Sequence, residues 1–195
     1  NDGDILIIGK AIQADSWIYA DTGDVTFEPS TAGRTIGLGG GAGGFNLTDG
    51  ELDNVQTSGI ITIGNANAGD ITIDELTQPG KNLALITGGE IIDQGGDAET
   101  EIIAESLALS AANGIGSGNA LETQVPYLQA TNTNNGIGIT NDGALTLVDL
   151  GAAGYAISNT NGGVDISASS PLTVDAGVTA GDDITLTAGD SATAG

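Results

Sequence analysis

Cysteine, methionine and histidine are all absent from this 195-residue chain, and each absence removes a class of chemistry. Without cysteine there is no disulfide framework, no thiolate zinc site and no thiol nucleophile. Without histidine the most common general base is missing, and only Lys10, Arg34 and Lys81 carry positive charge. These three stand singly along the chain, so the Lys/Arg clusters that bind nucleic acid or anionic lipid are absent too. Neither partner is expected. A primary translation product begins with methionine, so the residues read as a processed piece or a window from a longer chain. No run reaches the ~18 apolar residues of a membrane span, and Asn1-Asp2-Gly3-Asp4 has none of the basic and apolar regions of a signal peptide. Aromatic residues make up only 3%, too few to fill a wide globular core.

What is present is glycine, acid and small aliphatic residues. Glycine supplies 33 positions, and 26 acidic residues against 3 basic ones give a formal charge of −23. That charge argues for disorder. The apolar pattern argues against it, because Ile and Leu recur with period two inside a repeated phrase. The phrase is a Gly-Asp or glycine-rich turn followed by an apolar, small polar, apolar triplet. It reads Gly3-Asp4-Ile5-Leu6-Ile7, Gly23-Asp24-Val25-Thr26-Phe27, Gly59-Ile60-Ile61-Thr62-Ile63, Gly69-Asp70-Ile71-Thr72-Ile73, Gly143-Ala144-Leu145-Thr146-Leu147, Gly163-Val164-Asp165-Ile166 and Gly181-Asp182-Asp183-Ile184-Thr185-Leu186. A unit this small cannot bury its own apolar face and must stack on its neighbours.

Apolar anchors at Ile5, Val25, Phe45, Ile63, Leu83, Ile102, Leu121, Leu145, Val164 and Ile184 lie close to twenty residues apart. A second series runs between them through Trp17, Ile36, Val55, Ile71 or Ile73, Ile91, Ile115, Ile137, Tyr155 and Val174. The spacing predicts an all-β fold, a parallel β-helix (β-solenoid) with about 20 residues per coil and about ten coils. At ~4.8 Å per coil the rod is on the order of 45–50 Å long. Residues 1–195 read as one continuous segment. Strict alternation puts Ile and Leu inside and Thr outside. Glycine before the strand is expected to supply a positive φ at the corner, and the following Asp or Asn to satisfy turn N–H groups. Residues 98–112 carry helix formers, yet Leu107-Ala108-Leu109 keeps period two, so strands are expected there. The clusters Gly37 to Gly44 and Gly88 to Gly96 read as loops on the rod, and the stretch from Gly114 to Asn135 fits the repeat worst.

The chain resembles the β-solenoid repeat region of large bacterial surface and secreted adhesins of the filamentous-haemagglutinin type. The resemblance is carried by residues 180–189 (Ala180-Gly181-Asp182-Asp183-Ile184-Thr185-Leu186-Thr187-Ala188-Gly189), by Ser106-Leu107-Ala108-Leu109-Ser110-Ala111-Ala112-Asn113-Gly114-Ile115-Gly116, and by Ala130-Thr131-Asn132-Thr133 leading into Asn141-Asp142-Gly143-Ala144-Leu145-Thr146-Leu147. It implies a right-handed parallel β-helix, exported across a Gram-negative outer membrane and acting as an extracellular or cell-surface stalk or fibre. The Asn-Pro motifs of that family's secretion domain are not visible, since no Asn-Pro dipeptide occurs.

Parallel β-helices also host polysaccharide lyases and glycosidases. The adjacent pair Asp182-Asp183 is weighed as a glycosidase couple and read as a solvated corner. The Gly-Gly-x-Gly-x-Asp repeat of calcium-loaded β-rolls is missing, and Gly39-Gly40-Gly41-Ala42-Gly43-Gly44 has no Asp in register. Diffuse cation binding is expected rather than a designed site. Thr131/Thr133 and Thr185/Thr187 form Thr-x-Thr pairs, better read as β-propensity than as an ice-binding ladder. Trp17, Tyr19, Tyr127 and Tyr155 are expected in core or corner packing rather than in a sugar site. Asn46-Leu47-Thr48 is a formal glycosylation sequon. No catalytic, cofactor or metal residue is assigned. The expectation is a structural or adhesive rod, not an enzyme, whose partners are further coils of the same chain or other copies end to end, with host or matrix glycans as a second class. The alternative is a carbohydrate-active or carbohydrate-binding β-helix, which a lateral groove lined by converging carboxylates and aromatics would favour.

Overall fold

The computed structural model describes residues 3–95 and 99–189. Its strands form by coil. The first coil holds β1 (Ile5–Gly9) and β2 (Ile18–Asp21). The second holds β3 (Val25–Pro29), β4 (Ile36–Gly39), β5 (Phe45–Leu47), helix α1 (Asp49–Asp53) and β6 (Val55–Thr57). The third holds β7 (Ile60–Asn65), β8 (Ile71–Asp74) and β9 (Leu76–Thr77), and the fourth β10 (Asn82–Thr87), β11 (Ile91–Asp93) and β12 (Ile102–Ile103). The fifth holds β13 (Ser106–Ala111) and β14 (Leu121–Gln124), and the sixth β15 (Tyr127–Asn134) and β16 (Ile137–Asn141). The seventh holds β17 (Leu145–Leu147), β18 (Tyr155–Asn161) and β19 (Val164–Ala168), and the eighth β20 (Leu172–Val174), β21 (Gly177–Ala180) and β22 (Ile184–Ala188).

These strands stack as a parallel β-solenoid. The longest sheet runs β1-β3-β7-β10-β13-β15-β17-β20, with β18 and β21 continuing its far half. A second face runs β5-β4-β8-β11, and a third β9-β12-β14-β16-β19-β22. Isolated bridges Ile91 to Ile115 and Ile115 to Ile137 join the last two. The core is a set of ladders of like residues. Ile5, Val25, Ile61, Leu83, Leu107 and Leu128 stack in one column. Ile36, Ile71, Ile91, Ile115, Ile137, Val164 and Ile184 stack in another. Each fully buried Ile or Leu contributes about 1.5–3 kcal/mol. Thr62, Thr72 and Thr146 face outward between buried neighbours, as alternation requires. Residues 102–103 and 106–111 are strands, which matches the period-two reading of that segment.

The coil count differs from the expectation. Among the described residues the long path has eight levels, not about ten, because real steps are longer than twenty. Leu83 pairs with Leu107, Ala130 with Ile157 and Val25 with Ile61. Eight levels make a stack of roughly 35 Å. The evenly spaced anchors therefore drift between faces: Leu83 belongs to the long sheet, Ile102 and Leu121 to the third face, and Leu145 to the long sheet again. The largest excess comes from a fold-back in the second coil. There β5 pairs in parallel with β4 only nine residues earlier, Ile36 to Phe45 and Leu38 to Leu47, on the edge away from β8. The chain then enters α1, whose N-cap Thr48 and Glu51 form a capping box. Thr77 N–H on the free edge of β9 donates to Asp49 Oδ1 at 3.0 Å. Phe45, Leu47 and Leu52 are fully buried, so this excursion closes the core beneath the second and third faces.

The glycine cluster from Gly37 to Gly44 is thus not simply a loop, since its first half is β4. A Cβ on Gly41 would lie 2.1 Å from Thr72 O, and one on Gly43 would lie 2.1 Å from Gly37 N, so only glycine allows so short a reversal. Of the second cluster, Gly88 and Gly89 lead into β11, while Gly96 lies outside the described residues. The poorly fitting stretch is explained by a short excursion at 116–120 between Ile115 and β14.

The corner glycines also act differently from the expectation. Gly143 does have a positive φ of 99°. Gly23, Gly59 and Gly69 do not; they are required by proximity. A Cβ on Gly23 would lie 2.5 Å from Gly3 O, and one on Gly59 would lie 2.7 Å from Gly23 O. The Asp that follows reaches up to the next coil. Asp24 N donates to Asp4 Oδ1 at 2.9 Å, Ile60 N to Asp24 Oδ1 at 2.8 Å, and Glu90 N to Asp70 Oδ1 at 2.9 Å. In later coils buried asparagines also tie neighbouring coils together, accepting from the coil below rather than from the one above. Asn132 accepts from Gly114 N at 3.0 Å and donates to Asn159 Oδ1 at 3.1 Å, while Asn141 accepts from Val125 N at 2.9 Å.

Candidate functional site

The densest chemistry in the chain is a cluster that the sequence reading assigned to no site. Asp93 ends β11, Glu101 precedes β12 and Glu122 lies on β14. Because Ile102 pairs with Thr123, Glu101 and Glu122 fall opposite each other in adjacent coils. One carboxylate oxygen of each of the three residues lies within 4.8 Å of the others. Asp93 is 6% exposed and Glu101 3%, while Glu122 is half-buried. Glu122 N donates to Glu101 Oε2 at 3.1 Å, Gly95 N to Asp93 Oδ1 at 2.8 Å, and Asn119 Nδ2 to Asp93 Oδ2. Glu122 Oε2 is buried with no hydrogen-bond partner. Burial, a side-chain hydrogen bond to Glu122 and the charge of Asp93 push Glu101 up to about 8. At neutral pH the Glu101–Glu122 pair therefore favours holding a proton between them.

Two chemical capacities follow from this arrangement. Converging carboxylate oxygens are the ligand set of a hard cation such as Ca²⁺, and Asp93, Glu101 and Glu122 are the residues that could hold one. A protonated carboxyl beside an ionised one is also the acid and partner of a glycosidase. Asp93 at 6% and Glu101 at 3% exposure present little carboxyl surface to a sugar ring. The cluster was partly legible, since the alternation Ile91, Ile92, Asp93 puts the aspartate at an inward position.

Asp182 and Asp183 lie apart from this cluster, exposed in the bend before β22. Asp183 and Asp165 border a shallow groove with Ser117, Asn119 and Gly138; no aromatic residue lines it. A second hollow, of about 380 Å³, lies on the outer face of the long sheet between Ile60, Ala84, Ala108 and the loop at Leu150 and Gly151. Asp149 shapes that loop by accepting from Gly151, Ala153 and Gly154 N–H and from Gln129 Nε2. The bond from Gly154 N–H is the leading reason its carboxyl sits below the usual range. Neither carboxylates nor aromatic rings line this hollow.

The aromatic residues depart from expectation. Trp17 is 71% exposed and Tyr19 60%, with Ile18 and Ala20 turned inward between them. They stand two residues apart, Trp17 just before β2 and Tyr19 on it, beside Gln56 of β6, which pairs with Tyr19. The core does take rings, Phe27 and Phe45 being fully buried, so it is the alternation with Ile18 and Ala20 that turns Trp17 and Tyr19 outward. Tyr127 is 44% exposed and Tyr155 is half-buried. Within the sequon, Asn46 is exposed on β5, while the Thr48 hydroxyl is bonded to Glu51 Oε2 at 2.9 Å. Lys81 donates to Leu52 O and Val55 O at the end of α1, and burial lowers its pKa. No family model, no curated protein and no solved structure matches this chain.

Proposed function

We propose that this chain is a segment of a structural or adhesive rod at the outer surface of a Gram-negative bacterium. The observation that carries the reading is the long sheet, whose eight levels repeat the same inward ladder with the same backbone pairing. A stack of this kind transmits length, and its variable outer positions supply the contact surface. The resemblance to filamentous-haemagglutinin-type repeats in residues 106–116 and 180–189 supports the same reading, including the right-handed coil. A net charge of −23 keeps such a rod away from nucleic acid and anionic lipid. Catalysis is no part of the reading, because the one carboxyl group raised to about 8 is closed off from polymeric substrate. Electron microscopy of the native protein should show an extended fibre, and beads coated with the chain should adhere to host cells or matrix. Compact particles on the grid, or beads that adhere no better than bare ones, would overturn the proposal.

A second reading, a carbohydrate-binding β-helix, is favoured by one observation. Trp17, just before β2, and Tyr19, on it, present two exposed rings two residues apart, with Gln56 paired beside Tyr19. Rings spaced at two residues, ~6.6 Å apart, suit stacking against successive neutral sugars. A glycan array read with the unvaried chain and with Trp17→Ala/Tyr19→Ala decides it. Binding of neutral oligosaccharides that the double variant loses supports the reading, and an array without signal removes it.

A further inference from the structure

The strands of the long sheet carry almost none of the chain's charge. The chain has 26 acidic residues, yet among these strands only β3 holds one, Glu28, and none holds Lys or Arg. One outward column of the sheet reads Thr62, Ala84, Ala108 and Gln129 in successive coils. The two alanines leave a trough between the bulkier side chains that flank them. Two hollows, of about 380 Å³ and about 200 Å³, meet over Ala84 and Ala108 and share Gln129 and Gly151 as well. Ile60 lies at one end of the joined trough and Ile86 at the other, four strand positions away, or roughly 13 Å. Across the strands its floor is two alanines wide, ~4.8 Å from one coil to the next. The trough is therefore longer than it is broad. Strands β7, β10 and β13, which make its floor, are each paired on both edges.

The upper wall is a segment that the coil does not need for its own pairing. Residues 149–154 interrupt the seventh coil between β17 and β18, and Leu150, Gly151 and Ala153 border the trough. Besides the three N–H groups bound by the Asp149 carboxylate, Leu150 N–H donates to Gln129 Oε1 at 3.2 Å. Gln129 Nε2 donates to Asp149 Oδ1 and to Tyr155 O, each at 3.1 Å. The wall is thus fixed before anything binds, which spares a ligand the cost of ordering it.

The lining decides what the trough can take. Gln129 is committed at both ends of its amide, and Ser106 donates its hydroxyl to Asn82 Oδ1 at 2.8 Å. A sugar or a peptide backbone buried here would lose hydrogen bonds to water that these groups are not free to replace. Methylene groups make no such demand, and Ile60, Ile86, Ala84, Ala108 and Leu150 offer them aliphatic surface. A chain of net charge −23 also repels an acidic head group at the mouth. We infer that this trough binds the straight aliphatic chain of an uncharged amphiphile, with the chain lying along the strands beneath the 149–154 loop. The inference goes beyond the rod reading and does not depend on it.

The test is isothermal titration of the 195-residue chain with 1-hexanol, 1-octanol and 1-decanol. Affinity should rise about two- to four-fold for each added methylene, as expected for partial to full burial of that group. Decanoate should bind more weakly than decanol in dilute buffer, and the difference should shrink as salt screens the charge. Ala84→Leu/Ala108→Leu fills the floor from two outward positions and should weaken decanol binding at least ten-fold. Thr26→Leu places the same side chain in the same outward column, outside the trough, and should leave binding unchanged. Asp149→Ala unpins the wall and should also weaken binding. Far-UV circular dichroism confirms that each variant folds. No binding of any alcohol would overturn the inference, as would affinity indifferent to chain length or to Ala84→Leu/Ala108→Leu. Decanoate binding as tightly as decanol at low salt would overturn it too, and a neutral oligosaccharide that displaces decanol would give the trough to a sugar instead.

Discussion

Glu122 donates its backbone N–H to Glu101 Oε2 at 3.1 Å, so two glutamates in adjacent coils are tied together with their carboxyl groups facing Asp93. Burial makes this arrangement tolerable only while a proton is present, and stability must therefore depend on pH. The folded pKa of Glu101, about 8, lies above its ordinary value of 4.5. Its contribution is fully present below pH 4.5, declines as pH rises from there, and is lost above about 8. Asp149 shifts downward, so its effect falls at acid pH outside this window. The melting temperature of the unvaried chain should fall between pH 5 and pH 8.5. Glu101→Gln, which needs no proton, should flatten that decline and gain about 1–3 kcal/mol at the alkaline end. Parallel curves for the two proteins, by thermal circular dichroism, would rule this account out.

Salt should act through the whole surface. With 26 acidic and 3 basic residues the rod repels itself, and screening at physiological ionic strength shortens that repulsion to ~8–10 Å. The melting temperature should climb smoothly from low to moderate NaCl, and calcium at matched ionic strength should follow the same curve. A step at micromolar calcium that Glu122→Gln abolishes would instead place an ion among Asp93, Glu101 and Glu122.

The strands and their inward faces were legible because period two survives in a single sequence: Ile71-Thr72-Ile73 and Leu107-Ala108-Leu109 lie as they read. The coil count was not, because β4 and β5 are both apolar triplets only nine residues apart and spacing alone does not reveal that they belong to one level. Counting at twenty made Phe45 the anchor of a coil that does not exist. Trp17 and Tyr19 could have been placed by alternation, which sets them opposite Ile18 and Ala20, had Trp17 not been counted among the anchors of the second series. Glu101 and Glu122 were invisible for another reason. Residues 21 apart meet only through the register of β12 on β14, which depends on every turn between them.

Corner glycines can be sorted by what lies over them. Gly59→Ala places a methyl 2.7 Å from Gly23 O and 2.6 Å from Asp24 Oδ1, and that carbonyl, in the bend between β2 and β3, is held by the Thr57 hydroxyl. A loss of about 2–3 kcal/mol is expected, from overpacking together with a weakened Asp24 to Ile60 bond. Gly50→Ala, in α1 with nothing within 4 Å, should be neutral or stabilising by up to ~1 kcal/mol. Equal effects in urea denaturation would show that backbone freedom, and not coil proximity, explains the corner glycines.

One ladder allows the open end to be measured against the closed interior. Ile71 and Ile184 belong to the same column, at fully buried and 45% exposed positions. Truncating Ile71 to Ala removes contacts on every side and leaves a cavity between coils that paired backbone cannot close, so about 2–5 kcal/mol should be lost. Truncating Ile184 removes a side chain that already meets water on its upper side. In dilute solution, where chains are apart, that loss should be below ~1.5 kcal/mol. At about 2–4 °C per kcal/mol for a chain of this size, the two melting temperatures separate clearly. Equal losses at the two positions would mean that Ile184 is enclosed as tightly as Ile71.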